Sequence, residues 1–188
     1  MRNKFYLIVL IFLALFDDFM AMVLPLDYTY HSLSFVPHFC FIALMLIVYS
    51  KSWLDRALIS ALCGILTDYF FMPTFPKYFI LYTFLGIGIG FLHDWMDEDD
   101  RNKGLVILGA MFLLDFVPYL WSLFTEVTKL HFQSWLLYQG FLTFTINGLM
   151  IALLIYTFNV YDRYKAIQKI RLQRVEKNRY KNIRLKRK

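Results

Sequence analysis

Two cysteines in 188 residues, Cys40 and Cys63, stand singly inside apolar runs, with no disulfide or metal-ligand spacing around either. Each is accounted for as a small packing residue. The four histidines, His31, His38, His93 and His131, are scattered near the ends of apolar runs and read as interfacial residues. No H-E-x-x-H, G-x-S-x-G, P-loop or G-x-G-x-x-G occurs. Those absences remove the common metalloprotease, serine hydrolase and nucleotide-binding readings. No polar stretch is long enough for a separate globular domain, and no internal repeat stands out. An A-x-A-like cleavage site is missing as well. The apolar run after Arg2 and Lys4 carries Asp17 and Asp18, so a retained first span is expected.

What is present is apolar. The chain is 59% hydrophobic with mean hydropathy +0.50, against roughly 45–50% apolar for a soluble domain. Apolar runs of about 20 residues recur, the length that crosses a bilayer. The expected fold is an all-α polytopic membrane protein of six transmembrane helices, at residues 5–24, 34–49, 53–71, 78–92, 105–124 and 135–158. These make a membrane domain over 1–160, followed by a basic tail over 161–188. Arg2, Lys4, Lys51, Arg56, Arg101, Lys103 and the tail fall at one set of span ends, and only Lys77 and Lys129 at the other. The positive-inside rule then places both termini in the cytoplasm. Trp53, Trp95, Trp121 and Trp135 fall near span ends, as an interfacial aromatic belt requires. Pro25 closes the first span, Pro37 opens the second, Pro73 and Pro76 bracket an outer turn, and Pro118 is expected to kink the fifth span.

Charge is unevenly placed. Residues 161–188 hold twelve Lys/Arg against Asp162 and Glu176, a net +10, which leaves the body at −4 of the total +6. Such a tail fits an anionic bilayer surface. Its only aromatics are Tyr161, Tyr164 and Tyr180, and no nucleic-acid motif accompanies them. The loop over 93–103 carries Asp94, Asp97, Glu98, Asp99 and Asp100 and reads as a solvated turn. Asp94 and Asp97 have the D-x-x-D spacing of some magnesium-pyrophosphate enzymes. Position 101 is Arg, however, and no second D-x-x-D exists. Neither an enzyme nor a cofactor is expected.

Polar residues inside the spans are the chemical signal. Asp17, Asp18, Asp68 and Asp115 lie about 11–13 residues into the first, third and fifth spans, ~16–20 Å deep. No Lys or Arg shares that depth, so these carboxylates are expected to be protonated, hydrogen-bonded or wet. Gln139, Thr143 and Asn147 share one face of the sixth span and offer amide and hydroxyl partners. Two readings follow: glue between helices, or a ligand, proton or partner site.

Residues 57–90 carry the densest pattern. Ala57, Ala61, Gly64 and Asp68 line one helix face, and Tyr82, Gly86 and Gly90 line the next helix, with the two glycines spaced as G-x-x-x-G. Small residues at that spacing let helices approach closely. The two stripes are expected to face each other, with Asp68 near Tyr78 and Tyr82.

Six spans, with Ala61, Gly64 and Asp68 on the third and Tyr82, Gly86 and Gly90 on the fourth, resemble the rod shape-determining MreD family. The turn, Phe71-Met-Pro-Thr-Phe-Pro76, lacks the glycine that such proteins often carry soon after the Asp, and the long basic tail has no counterpart. The resemblance implies a non-catalytic scaffold in a bacterial cytoplasmic membrane. Its partners would be an MreC-like protein and the RodA and penicillin-binding-protein machinery of peptidoglycan synthesis and cell shape. It also implies a helical arrangement similar to the substrate-binding S components of energy-coupling-factor vitamin transporters. That likeness makes such an S component the alternative function.

Overall fold

A computed structural model describes residues 2–24, 33–71, 76–126 and 131–186. Every regular element among them is helical: α1 (Arg2–Val23), α2 (Phe39–Val48), α3 (Trp53–Phe71), α4 (Lys77–Gly88), α5 (His93–Glu98), α6 (Asp100–Phe124), α7 (Phe132–Trp135) and α8 (Phe141–Lys186). A 3-10 turn, Ile89–Leu92, joins α4 to α5, and a π turn, Leu136–Gly140, joins α7 to α8. Among the described residues, four stretches are long and apolar enough to cross a membrane: Tyr6–Val23, Lys77–Glu98, Asp100–Phe124 and Phe132–Arg174. The chain is an all-α polytopic membrane protein. Pro25, His31, Pro73 and Lys129 lie outside the described residues. The chain divides into two units, Met1–Ala152 and Leu153–Lys188. The second is helical through Lys186.

The centre of the first unit is α2. All ten of its residues are buried, and its sequence, FCFIALMLIV, is apolar all round, as a helix enclosed by other helices must be. It packs against α1, α3, α4 and α6. Ten residues rise only about 15 Å, half the hydrocarbon thickness. The second crossing is therefore not the continuous helix expected over 34–49. Residues 33–38 are non-helical, and residues 34–38 are buried. Pro37 supplies a local cause, because the residue before a proline is driven out of the α region. Non-helical backbone survives at membrane depth only where protein encloses it and satisfies its polar groups.

A second difference concerns Trp135. Trp53, Trp95 and Trp121 are exposed, as a belt requires, but Trp135 is 1% exposed. It stacks on Tyr119 at 4.9 Å and on Phe132 at 5.7 Å, beside Phe112 and Phe116 of α6. An aromatic cluster between α6 and the start of the last crossing holds it inside.

Candidate functional site

The backbone of residues 34–40 has donors and acceptors that no helix satisfies; three elements supply their partners, and a fourth meets the His38 side chain. From α1, Asp17 accepts the amide of Phe39 on Oδ1 at 3.0 Å and that of Cys40 on Oδ2 at 2.8 Å. A carboxylate at a helix N-terminus meets both the free amides and the positive end of the helix dipole. From α8, Thr143 Oγ1 accepts the amide of Val36 at 3.1 Å. Asn147 Oδ1 accepts the amide of His38 at 3.2 Å, and its Nδ2 donates to Val36 O at 2.9 Å. Asn147 thus clamps alternate residues as a neighbouring strand would. In the π turn, Tyr138 O accepts the amide of Ser34 at 2.8 Å. Disturbing the i→i−4 ladder is how a π turn frees a carbonyl for such use. From α6, Asp115 Oδ1 meets His38 Nε2 at 2.8 Å, with the side chains 9% and 3% exposed.

The polar residues singled out inside the spans thus largely converge, though not on one another. Asp17, Asp115, Thr143 and Asn147 meet on one unwound segment, and the amides and hydroxyls serve its backbone rather than the carboxylates. Asp18 is half-buried and has no part in the cap; Gln139 is half-buried within the π turn. His38, read as interfacial, is instead 2% exposed and bonded to Asp115. The available signal was Pro37 before it, inside an otherwise apolar run.

Asp68 stands apart, where α3 meets the start of α4. Its partners are the backbone amides of Tyr78, at 3.0 Å, and Phe79, at 2.8 Å, not a tyrosine hydroxyl. Gly64, one turn earlier, lies against the same first turn of α4. A Cβ there would stand 2.6 Å from Phe79 Cα and 2.7 Å from Tyr78 O. Further along the pair, Cβ atoms on Gly86 and Gly90 would run into Ser60 and the Arg56 guanidinium. The α3 residues that meet this glycine stripe are therefore Arg56 and Ser60, with Ala57 and Ala61 half-buried beside them. Tyr82 is 2% exposed and packs its ring on Phe41 of α2 at 4.9 Å.

The acidic stretch is largely paired within itself. His93 Nε2 lies 3.6 Å from Asp97, Arg101 2.7 Å from Asp99, and Lys103 2.9 Å from Asp100. The Arg101 side chain holds the Asp99 carboxyl below its ordinary value. Asp94 of the D-x-x-D pair is exposed. Chemically, the arrangement around residues 34–40 binds the chain's own backbone: Asp17, Thr143 and Asn147 are already engaged there. Compared with protein-family models, with curated proteins and with solved structures, the chain matches none.

Proposed function

We propose that this chain is a non-catalytic scaffold of a bacterial cytoplasmic membrane, of the kind its likeness to the MreD family implies. Its partners in this reading are an MreC-like protein and the RodA and penicillin-binding-protein machinery that builds and shapes the wall. One observation carries the reading: three of the four carboxylates at membrane depth, Asp17, Asp68 and Asp115, are engaged in holding helices together, and only Asp18 stands outside these contacts. Asp17 and Asp68 cap helix starts, and Asp115 holds His38. Of the residues behind the resemblance, Ala61, Gly64, Asp68, Tyr82 and Gly86 lie on α3 and α4, and Gly90 lies in the 3-10 turn that follows. Both termini lie in the cytoplasm by the Lys/Arg asymmetry. The helical tail rests on anionic lipid, each basic residue near the surface contributing ~1 kcal/mol.

The S-component alternative has one feature in its favour. The N-terminus of α2 lies inside the bundle, the place where transporters of several folds bind anionic substrates. Here Asp17 of the same chain takes the Phe39 and Cys40 amides, which leaves the scaffold as the better reading. Purification from membranes in mild detergent separates the two. A co-purified MreC-like protein supports the scaffold; an ATPase pair with a bound vitamin refutes it. Labelling a cysteine placed at position 77 from outside intact cells tests the orientation, and labelling at 181 but not at 77 would reverse it.

A further inference from the structure

The end of the first unit where α2 finishes and α3 begins holds polar groups that take no part in clamping residues 34–40. Arg56, in the first turns of α3, is half-buried and donates from Nη1 to Tyr49 O at 3.4 Å, just past the end of α2. Its guanidinium fills the space beside Gly90 that a Cβ would take. Its Nε is buried and has no hydrogen-bond partner. One turn along α3, Ser60 is 0% exposed, and its hydroxyl lies against Gly86, again with no partner. His93, three residues after Gly90, meets the Tyr49 ring at 5.7 Å, and its Nδ1 is a third buried atom without a partner.

The charges around this place are unequal. His93 faces Asp97 at 3.6 Å. Lys103 is paired with Asp100 at 2.9 Å and also stands over the Tyr49 ring. The neighbouring Asp55 is exposed. Among the described residues no carboxylate comes within 4.0 Å of Arg56. A guanidinium partly withdrawn from water without a counter-ion carries a desolvation cost, and an anion offsets it. A guanidinium N–H, a hydroxyl and an imidazole nitrogen are the donors that phosphate oxygens take. Trp53, one turn before Arg56 and 61% exposed, marks this level as interfacial. Basic pockets between transmembrane helices at that level bind lipid head groups.

We propose that Arg56, Ser60 and His93 form a site for a phosphate ester, of the kind an anionic phospholipid head group presents. The site does not depend on the scaffold reading. The test titrates the full chain, purified in neutral detergent, with dioctanoyl phosphatidylglycerol, dioctanoyl phosphatidylcholine or glycerol 3-phosphate, followed by tryptophan fluorescence. The parent should bind phosphatidylglycerol about tenfold tighter than phosphatidylcholine. Arg56→Gln should weaken phosphatidylglycerol by about tenfold, and Ser60→Ala by about threefold. Arg101→Gln, which removes one exposed positive charge, should stay within about twofold, since exposed charges are screened. Competition by glycerol 3-phosphate would show that soluble esters enter the site; its failure would assign the site to lipid. Ser60→Ala removes only an unpartnered hydroxyl, so it decides the matter if Arg56→Gln does not fold. Equal binding of the two lipids by the parent would overturn the proposal. So would phosphatidylglycerol binding at parental strength in the folded variants.

Discussion

The α1/α2 and α3/α4 pairs use the same device in different surroundings. In each, a carboxylate on the first helix accepts two successive amides at the start of the second. Asp17 takes Phe39 and Cys40, and Asp68 takes Tyr78 and Phe79, with distances of 3.0 and 2.8 Å in both. The surroundings differ. Asp17 is 4% exposed and caps a helix buried along its whole length, reached through the non-helical segment 33–38. Asp68 is half-buried, and Phe79 beside it is exposed. Protein encloses the first site on all sides, whereas the second, three residues from the end of α3, is enclosed only in part. One chemical device therefore carries very different weight at the two positions.

Replacing the two caps is the sharpest way to break that comparison. Asp17→Leu strands two buried amides at about 1–3 kcal/mol each, against a total stability of only about 5–15 kcal/mol. Little folded protein should survive, read as the monodisperse fraction on size-exclusion chromatography in mild detergent. Asp17→Asn keeps one acceptor and should fall between Leu and parent. At the second site, Asp68→Leu should cost only about 0.5–2 kcal/mol, the ordinary value of a lost cap. A melting temperature lowered equally by both leucine variants would show that burial does not separate the sites.

Asn147→Leu comes next. It removes both bonds to the unwound segment and should cost about 2–4 kcal/mol, since Val36 O and the His38 amide are left buried. Thr143→Val removes one acceptor and should cost about half as much. A thermal melt of each variant decides, and an Asn147→Leu protein as stable as the parent would mean that the segment is not held there.

Two glycines sharpen the comparison from the packing side. Gly64→Ala places a Cβ against the backbone of Phe79 and Tyr78, which no rotamer change relieves. It should cost about 1–3 kcal/mol. Gly88→Ala meets nothing within 4 Å and should be neutral or stabilising by up to about 1 kcal/mol, since alanine favours a helix. Parallel melts read the pair, and equal behaviour would place Gly64 at a lipid-facing position.

Much of this architecture was legible in the sequence. The span expected over 5–24 matches Tyr6–Val23, and that over 105–124 lies within α6, Asp100–Phe124; α3, Trp53–Phe71, has the bounds expected for the third span but is not among the stretches apolar enough to cross. Apolar run length carries that information, because the bilayer fixes how long a crossing must be. The second crossing was not legible in the same way. An enclosed helix and an enclosed extended segment are both continuously apolar, so hydropathy does not distinguish them and no periodicity betrays the break. The carboxylates stood out because a charge in an apolar run is conspicuous. Their partners did not, because Asp17 to Phe39 and Asn147 to Val36 are backbone contacts made in space between distant residues. His38 hid for a related reason: a histidine next to a proline near a span end looks interfacial, and only its approach to Asp115 shows otherwise.

Hydrogen–deuterium exchange of the backbone amides over 34–48, measured on the parent in detergent micelles, tests most directly whether protein partners hold the unwound segment. The amides of Ser34, Val36, His38, Phe39 and Cys40 should exchange as slowly as those of 41–48, because each is buried and bonded within the protein. Asp17→Asn should speed Phe39 and Cys40 first. Fast exchange over 34–40 in the parent, beside a protected 41–48, would contradict this: Asp17, Thr143 and Asn147 would then not clamp the segment.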